Sequence, residues 1–131
     1  MPAIEEICEY LEDQSVGTVG TDLFGHRLPA GKTEGMVVSQ YPGSVPEVTC
    51  GSDGTRIQMP RMQFRARYAS DATAVSKAEA AAAALNKIAN ESIEGRYWRS
   101  VVVLQEPGLL YADLNDMPNW GFNFEGERSA S

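Results

Sequence analysis

The residues of this sequence that could do chemistry are scattered, and none of them completes a catalytic or ligand-binding pattern. His26 lies in the turn "FGHRLP" with no serine, cysteine or second ligand near it in the sequence, so we expect a surface turn residue. Asp113 and Asp116 are three residues apart, but a calcium loop needs more oxygen ligands and a glycine at a fixed position. The sequence does not exclude a site formed by residues that lie far apart in the chain.

The glycine-rich stretches and the two cysteines lack the spacing of known sites. "GSDG" is not followed by the lysine and hydroxyl residue of a phosphate loop, and the glycines of "GTVGTDLFG" do not fit the dinucleotide fingerprint. Cys8 falls on the apolar stripe of a predicted helix, Cys50 lies beside a turn, and neither belongs to a C-x-x-C pair. We therefore expect no enzyme: no catalytic residue, no metal and no cofactor.

Length and composition are those of one acidic domain. At 131 residues with a formal net charge of −7, the chain is long enough to bury a core without disulfides. We assign residues 1–127 to a single domain and residues 128–131 to a disordered tail. The first residues lack the basic region of a secretory signal, and no apolar run approaches a membrane span. We expect a protein made in the cytoplasm, with no membrane contact.

Charge is distributed unevenly along the chain. The acidic excess lies near both ends, whereas the middle is basic by comparison, with Arg56, Arg61, Arg65, Arg67 and Lys77. This pattern can give faces of opposite sign, which suits self-association in one orientation; a solvated acidic surface without a partner is the alternative. The net negative charge argues against a general nucleic-acid binder, which needs clustered lysine and arginine to neutralise phosphates.

Hydrophobic spacing predicts two helices. The first has a stripe at i, i+3, i+4 and i+7 and an acidic opposite face. The second is capped by Ser70 or Asp71 and has an apolar stripe made mostly of alanine. The stripe of the first helix is Ile4, Ile7, Cys8 and Leu11, and that of the second is Ala74, Val75, Ala78, Ala81, Ala82, Leu85, Ile88 and Ala89. Small residues let a helix approach its support, so we expect the second helix to pack tightly on a sheet.

Alternation and turn residues predict the strands of the first half. Residues 19–23 and 35–41 form two strands, and Asp53-Gly54 marks a hairpin after them. Pro60 interrupts the next strand, as a bulge or at an edge. Over residues 62–68, apolar side chains then alternate with polar and basic ones. A strand with one apolar and one basic face belongs to a sheet that is covered on a single side.

The second half completes the sheet. Residues 96–105 predict a strand, residues 108–118 a loop with some apolar content, and the aromatic residues of positions 120–124 a final strand. We therefore predict an α+β fold. It consists of a single mixed, mainly antiparallel sheet of four to six strands, with two helices packed on one face.

The order of these pieces resembles the tail terminator proteins of long-tailed bacteriophages, which are also described as head–tail joining or minor capsid proteins. The likeness is carried by "TDLFGHRLPAG", "VVSQYPGSVPEV", "MQFRARYASDATAVSKAEAAAAALN" and "VVVLQEPGLLYADLNDMPNWGFNFEGE". In that family a strand ending in an arginine-containing segment leads into a helix rich in small residues. A "Q-x-P-x-x-L" turn, a following aspartate and a closing aromatic strand come next. The likeness spans residues 4–127.

The resemblance implies a structural protein of the virion tail or neck, assembled in the host cytoplasm. Proteins of this family form a ring, usually of six copies, on the last ring of the tail tube. The ring stops polymerisation of the tube and docks to the head connector or adaptor. DNA passes through its lumen, and we expect no specific binding there. Alternatives are another neck or tail-tube component and, outside this class, a small cytoplasmic ligand-binding α+β domain.

Two regions are candidates for interfaces. The first is the polar strand face with Arg65 and Arg67, together with Trp120 of the final strand. The charges of a one-sided sheet must be solvated or paired, and the fork of arginine suits a partner's carboxylates. We expect this region to contribute to subunit contacts or to the sheet beneath them.

The second candidate is the loop over residues 106–119, which contains Leu109, Leu110 and Tyr111. It is too long and too apolar for a simple hairpin turn, and long loops on a rigid scaffold often carry function. We expect it to project from the body and to contact an adjacent ring. The alternative is a loop that folds back on its own core.

Overall fold

The computed structural model describes residues 2–41, 47–48, 56–113 and 116–129. Within these ranges two helices cover one face of a curled sheet of nine strands. In chain order the elements are α1 (Ala3–Asp13), β1 (Leu23–Gly25), β2 (Gly35–Tyr41), β3 (Glu47–Val48), β4 (Arg56–Gln58), β5 (Arg61–Arg67), α2 (Asp71–Leu85), β6 (Ala89–Ile93), β7 (Arg96–Val103), β8 (Gly108–Ala112) and β9 (Pro118–Ser129).

The sheet is organised around β9. One edge of β9 pairs with β5 and β4, and the other pairs with β8 and β7. Strand β2 lies outside β5, and β6 lies outside β7. Among the described strands β1 runs parallel to β2, and every other pairing is antiparallel. The mixed, mainly antiparallel α+β fold is thus confirmed.

The predicted number of strands, four to six, was wrong. Two short strands form where the sequence predicted none: β6 follows the second helix, and β8 lies in the predicted loop. Neither has a long alternating pattern of its own; each is held by the neighbouring strand, β7 or β9. The first strand is also displaced, since β1 is Leu23–Gly25 and Val19 contributes only an isolated bridge to Leu23.

Pro60 separates β4 from β5, as expected for a residue that has no backbone N–H to donate. Both strands pair with β9, on either side of a point where the Gly126 amide donates to the Pro60 carbonyl at 3.0 Å. Strands β3 and β4 pair antiparallel, in agreement with a hairpin. The predicted turn at Asp53-Gly54 lies outside the described residues, as does Cys50.

The core lies between the helices and the inner face of the sheet. Met62, Phe64 and Ala66 of β5 stand opposite Phe124, Phe122 and Trp120 of β9, and the rings of Phe64 and Phe122 stack at 5.4 Å. All of these except the half-buried Trp120 are fully buried. The alternation predicted for both strands is therefore confirmed.

Helix α2 packs on this face through alanine. The hydroxyl of Ser70 caps the helix by accepting from the Thr73 amide at 3.4 Å. The predicted stripe is buried with two exceptions: Val75 is only half-buried, and Ala89 is exposed because the helix ends at Leu85 and Ala89 begins β6.

A buried ion cluster joins α1 to the far end of the sheet. The carboxylate of Glu6, which is 1% exposed, accepts from Trp98 Nε1 at 2.8 Å and from Arg128 Nη1 at 3.0 Å. Arg96 Nε lies 3.2 Å from its second oxygen. Because β9 continues through Ser129, the disordered tail predicted from residue 128 is corrected for Arg128 and Ser129, which belong to the sheet.

Candidate assembly surface

The outer face of the sheet, opposite the helices, carries cross-strand polar pairs between β5 and β9. Because side chains alternate along a strand, the residues of β5 between the core positions point away from the helices. Arg61 Nε donates to Glu125 Oε2 at 2.6 Å, and Gln63 donates to the side chain of Asn123 at 3.1 Å. The polar face predicted from the sequence is therefore paired within the chain.

Arg67 is held by the turn between β8 and β9. Its Nε donates to Asp113 Oδ2 at 2.5 Å, and its Nη1 donates to the Thr33 carbonyl. Asp113 also accepts from the Met117 amide and from the Asn119 side chain. With only 13% of the Arg67 side chain exposed, this ion pair fixes the turn to the sheet.

Arg65 has a different environment. Its Nη1 donates to the Tyr111 hydroxyl at 2.6 Å and lies 3.4 Å from Asn119 Oδ1. Both acceptors are neutral, and none of the ion pairs found among the described residues includes Arg65. Its guanidinium is thus oriented by β8 and β9, while its charge has no carboxylate beside it in the described part of the chain.

Exposed apolar side chains are concentrated on β7, β8 and the segment between them. Val102 is 55% exposed, Leu104 47%, Leu109 56% and Tyr111 45%; we call these four residues the ridge. Leu109 stands opposite Trp120 and Tyr111 opposite Asn119, so the two side chains lie on opposite faces of the sheet. Strand β6 covers β7 only as far as Ser100. Among the described strands, the rest of this edge has no outer neighbour, and open edges of this kind favour pairing with another chain.

The prediction that residues 106–119 form a loop that projects from the body was wrong. Residues 108–112 form β8 on the edge of β9, and the turn that follows is tied down through Asp113. The error arises because β8 is short and is held mainly by its pairing with β9, and because the turn is tied down by an ion pair between Asp113 and Arg67, which are 46 positions apart in sequence. Leu109 and Tyr111 are nevertheless exposed, and Leu110 is half-buried.

Trp120 lies on the inner face of β9. It packs against the core, and its Nε1 donates to Asp71 Oδ1 at the start of α2 at 2.7 Å. The structure thus brings Arg65 and Tyr111 together, keeps Arg67 beside them in a separate ion pair, and puts Trp120 on the other side of the sheet. Asn119 and Asp113 organise this arrangement, and the sequence analysis did not assign either of them a role at an interface.

A second charged surface lies on the helix side. Glu5, Glu9 and Asp13 follow one line along α1 at intervals of four residues, and Glu91 and Glu94 of the β6 region are also acidic; we call these five residues the acidic face. None of them takes part in an ion pair found among the described residues. Desolvation and then the charges of Glu12, Glu94 and Asp13 raise the pKa of Glu9, so this surface concentrates negative charge.

The described residues carry no arrangement that indicates metal chemistry. No group of three or more histidine, cysteine, aspartate or glutamate side chains in them could hold a metal ion. Burial of Cys8, followed by the charges of Glu9 and Glu5, raises the pKa of its thiol to about 12, so it stays protonated at neutral pH. Neither of the helices described is long and apolar enough to cross a membrane.

Comparison with known proteins decides the family. Residues 10–127 match the family described as "Bacteriophage tail terminator protein". The chain belongs to the bacteriophage tail terminator family. It is a structural protein of the virion, as the resemblance implied. No curated protein gives a significant match to this chain.

A solved structure shows the same fold. A chain of the structure described as "Virion of native gene transfer agent (GTA) particle" superposes with a TM-score of 0.61 at 18% sequence identity. The match covers 99% of this tail terminator family member and 100% of the other chain. At this level of identity the comparison supports the architecture: a curled sheet with two helices on one side.

Proposed function

We propose that this protein forms a closed ring of six copies that caps the phage tail tube, stops its polymerisation and joins the tail to the head connector. The observation that carries the proposal is the family match, which spans the end of α1, all of α2 and nearly all of the sheet. A protein that works by assembly needs complementary surfaces on a rigid body. The outer face and the ridge meet that description, because Arg67, Asp113 and Asn119 hold them in place without a partner.

The ridge supports contact with another chain. Its four side chains are large, apolar and exposed, in a described region where most large apolar side chains are buried. Large exposed side chains along one open edge of a sheet, with tyrosine among them and arginine beside them, are typical of protein interfaces. We assign Leu109 and the half-buried Leu110 to contact with the adjacent tube ring. Arg65 and Tyr111, on the outer face, are assigned to contact between subunits.

The lumen of such a ring should not bind the DNA that passes through it. Six copies would each bring a formal charge of −7, and acidic residues near the passage would repel phosphates at short range. The partners that the proposed ring requires are the protein itself, the tail tube protein and the connector.

The assembly state tests the proposal. Purified protein should give monomers together with discrete rings whose mass is six times the 14.2 kDa of one chain, measured by size-exclusion chromatography with light scattering. A tube protein would instead form fibres without a fixed length, because only a heterologous contact whose rotation closes gives a ring. Fibres, or monomers alone at high concentration, would refute the closed ring.

Leu109 tests the assigned tube contact. A Leu109→Ser variant should still form rings, because the side chain is more than half exposed and supports little of the core. It should bind tube ends more weakly, since the exposed apolar area is lost. Thr73→Ala, an exposed position on α2, is the control. Normal capping by Leu109→Ser would remove Leu109 from the contact.

A further inference from the structure

One surface on each side of the sheet carries charge that no ion pair found among the described residues balances. The helix side carries the acidic face, where five carboxylates have no cation within 4 Å among the described residues. Among the residues whose side chains the structure describes, four arginines lie on the outer face. Three of these, Arg61, Arg67 and Arg99, each pair with a carboxylate, and Arg65 does not.

The guanidinium of Arg65 is held in one orientation, as is typical of a side chain that binds a partner. Tyr111 and Asn119 hold its guanidinium from one side, which lowers the conformational entropy that it would lose on binding. Tyr111 is itself exposed, and Val102 and Leu104 of the ridge stand along the same edge. An oriented arginine beside tyrosine and aliphatic side chains is the composition of an interface centre.

We infer that the outer face around Arg65 and Tyr111 binds the acidic face of a second copy of this chain. The occupant follows from charge complementarity, since an arginine without a carboxylate meets carboxylates without a cation. The inference rests on the proposed ring and names the two surfaces that meet in it.

The positions of the two surfaces also fit a ring. Helix α1 buries its apolar stripe in the core, so its acidic line points away from the sheet on the helix side. Arg65 points away on the other side. Contact between opposite sides of successive copies is heterologous, which is the kind of contact that a ring requires; it gives a ring where the rotation between copies closes and a filament where it does not. Arg67, the other arginine that the sequence placed at the interface, fixes the turn that follows Tyr111 through its bond to Asp113.

A charge exchange tests the pairing. Arg65→Glu and Glu9→Arg should each raise the protein concentration needed for ring assembly at least tenfold, because each puts like charges together at the contact. The double variant in one chain should recover assembly. A mixture of the two single variants should recover it too, because alternating copies then present opposite charges at every contact. Native mass spectrometry should find equal numbers of both variants in each ring.

Matched controls separate this pairing from a general effect of charge. Lys87→Glu and Glu79→Arg make the same charge changes at exposed positions outside both surfaces, and both should assemble as the wild type does. Circular dichroism checks that every variant is folded. Size-exclusion chromatography with light scattering gives the concentration needed for assembly.

Each remaining outcome counts against the inference. Rings of normal stability from Arg65→Glu would overturn the pairing and leave the ring proposal intact. Single variants that fail to assemble, with no recovery in the mixture or the double variant, would assign Arg65 to a different occupant. Double-stranded DNA that binds the wild type and not Arg65→Glu would make that occupant a phosphate. Wild-type protein that forms no rings would remove the proposed function and this inference together.

Discussion

Replacement of Glu6 by glutamine should destabilise the fold, although it changes one atom. Glu6 lies on the buried side of α1, where its carboxylate meets two arginines and one indole N–H. Glutamine keeps the length of the side chain and one acceptor oxygen. It removes the negative charge that balances Arg96 and Arg128 and puts an N–H₂ group where a second acceptor stood.

The magnitude follows from the burial of the cluster. Glu6 is 1% exposed, and the side chain of Arg128 is 10% exposed, so water gives little compensation. Removal of one partner from a buried ion pair costs about 3–5 kcal/mol. Because the amide oxygen of glutamine still accepts one hydrogen bond, we expect about 3 kcal/mol. For a chain of this length that corresponds to a decrease in Tm of roughly 10 °C.

Urea unfolding, followed by the fluorescence of the buried Trp98, measures this difference. Glu5→Gln is the matched control, because it makes the same chemical change one residue away on the exposed side of α1, and it should alter the free energy of unfolding by less than about 0.5 kcal/mol. If Glu6→Gln and Glu5→Gln lose the same small amount, the cluster does not hold α1 to the sheet.

Three further predictions concern other parts of the chain. Gly121→Ala should cost about 1–3 kcal/mol in urea unfolding, because a Cβ there would lie 1.9 Å from the Phe64 carbonyl oxygen. Since burial raises the pKa of Cys8 from 9.0 to about 12, the unfolded chain releases the thiol proton first. The stability of the wild type relative to Cys8→Ala should therefore fall by up to about 1.4 kcal/mol per pH unit above pH 9. This is measured by urea unfolding between pH 8 and 10, and a constant difference would contradict a buried thiol. Double-stranded DNA should show no binding in fluorescence anisotropy at low salt; tight, salt-sensitive binding would contradict a non-adhesive lumen.

The sequence was sufficient where an element carries its own pattern. Strand β2 was predicted with the bounds that the structure has, and the alternation of β5 placed Phe64 in the core and Arg65 on the outer face. Ser70 was one of two predicted caps of α2, and its hydroxyl makes the capping hydrogen bond. In each case the period of the side chains or the type of capping residue acts locally.

The sequence was insufficient where contacts join distant segments. Arg67 pairs with Asp113, 46 positions away, and Arg128 pairs with Glu6, 122 positions away. Nothing in the local pattern of α1 distinguishes the buried Glu6 from the exposed Glu5. For the same reason the role of Asn119 beside Arg65 could not be found, because it depends on the registers of β5, β8 and β9.

Electron microscopy of tail tubes that assemble in the presence of this protein tests the proposed capping most directly. Tube protein alone should give tubes of broad and increasing length. Addition of this protein should shorten them in proportion to its concentration and put one ring of six copies at one end of each tube. Tubes that keep their full length without terminal rings, or that contain this protein along their walls, would contradict its role as the cap.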